Sequence, residues 1–259
     1  MSTSIKHGDF SLLAENYSKY RPGYSEDILE LVLTKVGKPI SELDFVDVGA
    51  GTGIWTRMVA EAGCRTTAVE PNNEMRKYGE STDPHLKINW VKGAAESTTL
   101  PDSSCDLVSM ASSFHWPDFD SAVHEFHRIL RPQGYFVALW NPRLIEVNPM
   151  LVTIENKLKE LVPHMKRKSS GRSEFCDNLT DRLLQSGCFQ NVIYMEGRHV
   201  ERMSPERYIG IWNSVNDIRS QAGEEKFQEF MDFVERTIAG LDAIEATYLT
   251  RAWLAQVKK

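Results

Sequence analysis

The sequence predicts an α/β protein with a mostly parallel, seven-stranded sheet, helices on both faces and an antiparallel C-terminal strand. Three observations support this prediction. Between residues 44 and 141, short apolar β-branched runs alternate with amphipathic stretches, which is the pattern of a parallel sheet with crossover helices. A glycine-rich turn follows the first of these runs. The last segment, 246–257, alternates apolar and polar residues as a strand does.

The first half of the chain accounts for most of the regular elements. A helix is predicted over 25–37, where apolar residues lie three and four apart between Ser25 and Gly37, which suit the two caps. Further helices and strands then follow in alternation. The predicted strands are 43–49, 65–71, 86–93, 104–111 and 135–141, and the predicted helices are 54–63, 73–81 and 119–131, the last ending before Pro132.

The second half is less regular but still yields elements. Ser204 and Pro205 form a good helix start. An apolar stripe at helical spacing within 223–240 predicts core packing rather than a cofactor contact; its members are Phe227, Phe230, Met231 and Val234. The predicted helices are 148–163, 177–187, 204–215 and 223–240, and a sixth strand is predicted over 191–204.

Composition narrows the functional classes. The chain has 259 residues, of which 41% are hydrophobic and 25% charged, as in ordinary globular proteins. Its net charge of −6 argues against a nucleic-acid binder. The four cysteines form no CxxC pair and no cluster with histidine, so we expect neither a disulfide framework nor a metal site. Without a long apolar run or a leader-like start, we expect a cytoplasmic protein that does not enter a membrane.

The stretch FVDVGAGTG, residues 45–53, joins the first strand to a helix and predicts a nucleotide site. Ligands of open α/β sheets bind at this edge, where glycine lets them approach the backbone. The spacing of Gly49, Gly51 and Gly53 is GxGxG, which differs from the GxGxxG of dinucleotide folds. No Lys-Ser/Thr pair follows, which excludes a phosphate-binding P-loop.

Two carboxylates narrow the choice of nucleotide. Glu70 ends the second strand about 20 residues after the turn, where an acidic side chain accepts hydrogen bonds from ribose hydroxyls. Asp47 stands two residues before Gly49, and its charge would repel a phosphate but attract an ammonium or sulfonium centre. The sequence therefore predicts an adenosine ligand that is cationic at its reactive end.

Four segments in order resemble the motifs of the class I S-adenosylmethionine (SAM)-dependent methyltransferases, of the type 11-like group. They are VDVGAGTG, AVEPNNEM, KGAAESTTLPDSSCDLVSMASSFHWPDF and HRILRPQGYFVALWN, and the likeness spans about residues 10–142. AENYSKYRPGYS and FHW further resemble a small-molecule subgroup, which includes trans-aconitate methyltransferase-like enzymes and natural-product enzymes such as the toxoflavin N-methyltransferase. The resemblance implies a Rossmann-like fold, SAM as cofactor, S-adenosylhomocysteine (SAH) as product and no metal.

The resemblance also implies cofactor contacts. The glycine turn would line the methionine and ribose, Asp47 would hold the amino group through water, and Glu70 would bind both ribose hydroxyls. Arg21 would pair with the methionine carboxylate, which its fork can bind bidentately. The residues expected at the cofactor are Tyr20, Arg21, Asp47, Gly49, Ala50, Gly51, Gly53, Glu70, Pro71, Met75, Ala95, Glu96 and Ala111.

For the acceptor side, His115 follows the fourth strand and is the candidate general base, because its ordinary pKa suits proton transfer near neutral pH. The alternatives for His115 are that it packs in the core or only hydrogen-bonds the substrate, and for the neighbouring aromatic residues the alternative is core packing. The residues expected at the substrate are Tyr17, Phe114, Trp116, Trp140, Asn141 and Trp212, and Arg143, Arg172 and Arg198 are candidates to bind an anionic group.

The N-terminal tyrosines Tyr17, Tyr20 and Tyr24 could form a lid over the cofactor, or a simple packed helix. The expected organisation is a SAM-binding core of residues 1–142 with the C-terminal strands of 189–259. Helical insertions at 143–188 and 204–240 would form a cap on the acceptor side.

The leading hypothesis is methyl transfer to a small molecule by in-line displacement, on nitrogen or oxygen, with a heteroaromatic intermediate such as an azapteridine as one candidate. A carboxylate O-methyltransferase of the trans-aconitate type, a non-catalytic SAM-binding sensor or scaffold, and an RNA or protein methyltransferase are the alternatives. We expect a small-molecule acceptor, no nucleic-acid or membrane partner, and a monomer or homodimer.

Overall fold

The computed structural model of the protein describes residues 18–165, 171 and 173–259. Its centre is a seven-stranded sheet in the order β3-β2-β1-β4-β5-β7-β6. The first five strands are parallel and β7 runs antiparallel to β5, as the sequence predicts. The strands are β1 Asp44–Val48, β2 Arg65–Val69, β3 Ile88–Val91, β4 Cys105–Ala111, β5 Leu130–Trp140, β6 Phe189–Met203 and β7 Ile244–Val257.

Each helix predicted from the spacing of apolar residues is present, and two short helices, at 174–177 and 216–222, were not predicted. The first begins after Ser25 and ends at Gly37, whose φ of 74° is the left-handed C-cap that glycine adopts without strain. The α-helices are α1 Glu26–Val36, α2 Ile54–Glu61, α3 Asn73–Ser81, α4 Phe119–Ile129, α5 Pro149–Leu161, α6 Glu174–Asp177, α7 Leu179–Gln185, α8 Pro205–Asn213, α9 Asn216–Ala222 and α10 Glu224–Ile238. Short 3₁₀ turns lie at Ile40–Glu42 and Ile145–Val147.

The junction of α4 and β5 differs from the prediction. The helix ends at Ile129 and β5 starts at Leu130, which pairs with Cys105 of β4 before the register shifts. Gly134 sits in this irregular stretch, and a Cβ there would lie 2.9 Å from the carbonyl oxygens of Arg131 and Asp106. The irregular pairing with β4 is a long-range contact, so local helical periodicity could not reveal it.

Both faces of the sheet are covered. Along β5, Phe136, Ala138 and Trp140 pack into one apolar cluster, while Tyr135 and Leu139 belong to another. The first cluster holds the buried sides of α4 and α7, and the second those of α1 and α2. Burial on both faces is typical of parallel sheets and leaves the edge at the strand ends for a ligand.

The chain divides into two compact units. The larger contains residues 23–142, 171, 173–197 and 249–259 of the described chain, and the smaller contains 18–22, 143–165 and 198–248. The smaller unit has its own apolar core, which includes the four residues of the predicted stripe on α10, all buried. The division between cofactor core and acceptor cap stays a prediction.

A close approach between α3 and β3 gives the first test of the fold. A Cβ on Gly79 would lie 2.2 Å from the Trp90 ring, so we expect Gly79→Ala to destabilise the protein by about 1–3 kcal/mol, despite alanine's better helix propensity. Thermal unfolding measures the loss. Adding Trp90→Leu should restore part of the stability; a Gly79→Ala protein as stable as the original would contradict the packing.

Candidate cofactor site and active site

The glycine turn lies between β1 and α2 at the carboxyl edge of the sheet. Gly49, Gly51 and Gly53 have φ angles of 66°, 59° and 87°, a left-handed region that favours glycine. The amides of Gly49 and Ala50 donate to the Val69 carbonyl at 2.8 and 3.2 Å, which ties the turn to the end of β2. A Cβ on Gly51 would meet nothing within 4 Å, so this part of the turn faces open space.

Glu70 lies at the end of β2 beside this turn and is only 6% exposed. Its Oε2 accepts a hydrogen bond from the Gly51 amide at 2.7 Å, and its Oε1 accepts one from the Asn72 amide at 2.8 Å. Burial raises the pKa of this carboxyl, while the two amides act in the opposite direction. A buried carboxylate is thereby fixed against the backbone of the glycine turn, and each of its oxygens has a second lone pair for a ligand.

Asp47 lies deeper, on β1, and is 1% exposed. Its two oxygens accept hydrogen bonds from Thr56 Oγ1 at 2.6 Å and Ser109 Oγ at 2.7 Å. Burial raises its pKa to about 7, with a further contribution from the charge of Glu70. This carboxyl therefore changes protonation near neutral pH, where a neighbouring cation would favour its charged form.

The residues expected at the adenine have different environments. Met75 on α3 and Ala95 are buried, whereas Pro71 and Glu96 are exposed. Glu96 accepts a hydrogen bond from the Asp118 amide at 2.9 Å, next to the start of α4. Ala111 is half-buried at the end of β4. All of them belong to the larger unit; their contact with a nucleotide stays a prediction.

His115 follows β4 and contacts two tryptophans. The Trp140 indole Nε1 donates a long hydrogen bond, 3.4 Å, to His115 Nδ1, and the Trp116 ring lies with its centroid 4.5 Å from that of His115. An indole N–H only donates, so Nδ1 must accept, and the imidazole is then neutral with its proton on Nε2. The structure thus assigns a tautomer to the candidate catalytic residue.

The other aromatic residues expected at the substrate are mostly buried. Phe114 is fully buried among phenylalanines, with Phe136 and Phe175 in edge contacts at 4.9 and 5.7 Å. Trp140 is 1% exposed and Trp116 is 42% exposed. Of these three, Trp116 presents the largest surface to a ligand.

Asn141 connects distant parts of the larger unit. Its Nδ2 donates to the Gly23 carbonyl at 2.7 Å, and its Oδ1 accepts from Thr250 Oγ1 at 2.9 Å. The amide nitrogen and the amide oxygen of Asn141 each make one of these bonds. Asn141 therefore holds the backbone at Gly23 against Thr250 of β7 in the same unit.

The remaining expected residues lie elsewhere. Tyr20, Arg21, Arg143, Arg198 and Trp212 belong to the smaller unit. Arg21 Nε donates to Ser214 Oγ at 3.0 Å, and the Tyr20 ring packs against Gly210, where a Cβ would lie 2.4 Å from it. Tyr17 and Arg172 lie outside the described residues, as does most of the N-terminal segment for which a lid was considered.

Several polar partners of the site were not predicted from the sequence. Thr56 and Ser109 bind Asp47, and the Tyr24 hydroxyl shares a 2.9 Å hydrogen bond with Ser112 Oγ at the end of β4. Ser109 carries a signal that could have been recognised, since it is a polar residue within an otherwise apolar stretch of buried strand. Tyr24 carries none, because its partner Ser112 is distant in sequence. Thr56 is close to Asp47 in sequence, but nothing in the apolar pattern of α2 marks it.

The described part of the chain lacks two further features, a metal-binding cluster and a membrane-spanning helix. Within residues 18–165, 171 and 173–259, no group of three histidine, cysteine or acidic side chains is arranged to hold a metal ion. In the same residues, no helix combines the length and apolar character that crossing a bilayer demands.

Sequence comparisons identify the domain that contains the site. Residues 46–138 match the family described as “Methyltransferase domain”. An uncharacterized methyltransferase of Mycobacterium tuberculosis is 33% identical over 127 residues, covering 49% of each chain. The UbiE ubiquinone/menaquinone C-methyltransferase of Rubrivivax gelatinosus is 32% identical over 106 residues, covering 40% of this chain and 42% of the relative. The chain spans about half the length of the curated relatives it matches.

Solved structures share the fold at low sequence identity. A provisionally assigned type II methyltransferase of Anaeromyxobacter dehalogenans superimposes with a TM-score of 0.68 at 17% identity, covering 92% of this chain and 98% of the other. Phosphoethanolamine N-methyltransferase 2 of Haemonchus contortus, solved with phosphomonomethylethanolamine and SAH, has a TM-score of 0.55 at 14% identity, covering 96% and 57%.

The matched residues include most of β1, the glycine turn from Val46 to Gly53, and most of β5, and thus both Asp47 and Glu70. Residues 46–138 of this chain are therefore similar to methyltransferase domains, and the chain shares its fold with solved methyltransferases.

Proposed function

We propose that the protein transfers the methyl group of SAM to a small-molecule acceptor. The observation that carries the proposal is the buried carboxylate of Glu70, hydrogen-bonded to the Gly51 amide beside the open face of the glycine turn. A carboxylate at this position accepts hydrogen bonds from both ribose hydroxyls. Asp47, below the turn, favours the cationic amino group of the methionine portion.

SAM fits this charge pattern better than a dinucleotide does. The region carries two buried carboxyls, Asp47 and Glu70, close enough for the charge of Glu70 to raise the pKa of Asp47. A pyrophosphate here would add two negative charges beside them, whereas a sulfonium and an ammonium are attracted. SAM and SAH therefore suit the site on charge.

The reaction needs few groups from the protein. A lone pair on the acceptor atom attacks the methyl carbon, the carbon–sulfur bond breaks, and its electrons remain on sulfur, which becomes the neutral thioether of SAH. The donor is already activated, so the protein contributes by aligning the acceptor and excluding water. An acceptor that carries a proton releases it during or after the transfer.

We propose that His115 contacts the acceptor and orients it by donating a hydrogen bond from Nε2. Accepting the N–H of Trp140 at Nδ1 leaves the proton of the neutral ring on Nε2. In this tautomer Nε2 has no lone pair for a proton. The general-base role considered from the sequence would require the proton to move to Nδ1 and the bond from Trp140 to break.

The two roles of His115 make different predictions. A positioning N–H is partly replaced by the amide of glutamine, so His115→Gln should keep kcat within about tenfold of the original, while His115→Ala should lose roughly 100-fold. If His115 were the base, both variants would lose kcat to a similar degree. Both should bind SAH with the original Kd, measured by calorimetry, because the cofactor contacts are elsewhere.

The proposed function is tested first by cofactor binding and then by turnover. SAH should bind in a saturable, one-to-one manner by isothermal titration calorimetry, and SAM should be converted to SAH with at least one member of a panel of small nitrogen, oxygen and carbon nucleophiles. Failure to bind SAH would refute the proposal. Cofactor binding without turnover on any nucleophile would instead support the sensor or scaffold.

The class of acceptor is supported only indirectly. UbiE and phosphoethanolamine N-methyltransferase bear the names of small-molecule enzymes, and the negative net charge of the chain argues against RNA. We extend the proposal to the segments 143–188 and 204–240, which would select the acceptor. Exchanging these segments with those of a relative should change acceptor preference and leave SAH affinity unaltered.

A further inference from the structure

The smaller unit contains two tyrosine hydroxyls that are buried without a full hydrogen bond. Tyr208 on α8 is 0% exposed and Tyr248 on β7 is 3% exposed. Neither hydroxyl has a hydrogen-bond partner among the residues that the structure describes. The Arg143 guanidinium and the Trp212 indole favour the ionised form of the Tyr208 hydroxyl, but neither is a hydrogen-bond partner that satisfies it.

Such hydroxyls are unusual in a native core. A buried donor or acceptor without a partner is destabilising, and most are satisfied by protein or water. Replacing either tyrosine with phenylalanine would keep the ring and remove the penalty of burying an unsatisfied hydroxyl. Two such hydroxyls within one small unit therefore indicate that they serve a purpose other than packing, such as binding a ligand.

The surroundings indicate what would satisfy them. The segment that begins at Arg143 pairs with β7 at Tyr248, and the Arg143 guanidinium lies 4.1 Å from the centroid of the Trp212 ring. The charge of Arg143 acts on both hydroxyls and opposes the rise in tyrosine pKa that burial causes. Because burial keeps both tyrosines protonated, they can donate hydrogen bonds beside a fixed positive charge.

Acidic groups are also present, and their charges must be weighed. Glu155 lies near Tyr208 and Glu201 near Tyr248, and both raise the pKa of the tyrosine they face. Glu201 is paired with Arg207 at 2.9 Å, which neutralises most of its effect. Arg21 adds a second positive charge near Tyr248. Arg143 thus acts on both hydroxyls, whereas each glutamate acts on only one of them.

We propose that the smaller unit binds a small organic carboxylate, whose oxygens accept hydrogen bonds from Tyr208 and Tyr248 beside the Arg143 guanidinium. The surrounding rings of Trp212 and His199 suit a flat, aromatic body. Both hydroxyls are sealed in this structure, so entry requires a neighbouring side chain to move. His199 is only half-buried and stacks on Tyr248, which makes it the side chain that can move outward. The inference does not require that methyl transfer be correct.

Benzoate is the probe, and benzamide is its neutral isostere. Benzoate should bind the full-length protein saturably by calorimetry and raise its Tm, and benzamide should bind at least about tenfold more weakly. Tyr248→Phe should weaken benzoate about tenfold, and Tyr208→Phe should act similarly. Each change removes one buried oxygen without a partner, so both variants should fold with a Tm equal to or above the original.

Two controls separate this site from general effects. Tyr135→Phe removes a hydroxyl from the larger unit and should leave benzoate binding unchanged. SAH titrated into the same preparations should bind the original protein and all variants equally. Absence of SAH binding in every preparation would count against the proposed function and leave the carboxylate site untouched. The proposal is overturned if benzoate has no saturable effect, if benzamide binds equally well, or if neither tyrosine variant alters the benzoate Kd.

Discussion

Replacing Glu70 with glutamine is expected to raise the Kd for SAH by roughly 30–100-fold. The carboxylate is held by the amides of Gly51 and Asn72, with its remaining lone pairs available to the two ribose hydroxyls. Hydrogen bonds to a charged group contribute about 1.5–3 kcal/mol each, and the loss of about 2–3 kcal/mol corresponds to this change in affinity. Calorimetric titration with SAH measures it.

The same substitution should disturb the fold little. Burial raises the pKa of Glu70, so removing its charge relieves a desolvation penalty while one hydrogen bond to the turn is lost. We expect Tm to change by only a few degrees. The matched control is Glu74→Gln, an exposed carboxylate on α3 whose ion pair with Lys77 is 3.5 Å long. If Glu70→Gln binds SAH as tightly as Glu74→Gln does, Glu70 does not bind the ribose.

Replacing Asp47 with asparagine is expected to make the protein more stable at alkaline pH. The folded pKa of about 7 is above the ordinary value of 3.8. A group with a raised pKa contributes its full stability below the unfolded pKa and loses it as pH rises through the folded pKa. Between about pH 4 and pH 7 the original protein therefore loses on the order of a few kcal/mol that the asparagine variant keeps.

The measurement is the difference in Tm between Asp47→Asn and the original protein at several pH values. It should be small below about pH 4, grow between about pH 4 and pH 7, and level off by about pH 8. Ser109→Ala is the control with the opposite sign, because it removes a hydroxyl that donates to the ionised carboxylate at 2.7 Å. A Tm difference that does not vary with pH would show that Asp47 is already ionised at pH 5.

The gain in stability should accompany a loss of cofactor binding. If Asp47 holds the ammonium of the methionine portion, Asp47→Asn should bind SAH at least about tenfold more weakly at pH 8. Proton release is a second readout, since a bound cation lowers the pKa of Asp47. The calorimetric enthalpy near pH 7 should then depend on the ionisation enthalpy of the buffer, and this dependence should vanish in the variant.

Much of the fold was determined by local sequence patterns. Alternating strands and helices, the caps at Ser25 and Gly37, and the antiparallel last strand are set by periodicity and by single residues with special backbone preferences. The glycine turn and Glu70 are also set by local patterns. The turn follows β1 and Glu70 ends β2, and neighbouring parallel strands bring these two positions together at one edge of the sheet. Local patterns alone therefore suffice to predict an adenosine-type cofactor at this edge.

Tertiary structure decided what depends on residues distant in sequence. The hydrogen bond from Ser109 to Asp47, the tautomer of His115 set by Trp140, and the unsatisfied hydroxyl of Tyr248 all come from a core assembled by several elements. Protonation and orientation follow from burial and from such partners, and neither has a signature in a local pattern. For this protein the sequence determined the fold and the glycine turn with its two carboxylates, whereas the charge state of Asp47 and the tautomer of His115 were decided only by the packing of the folded chain.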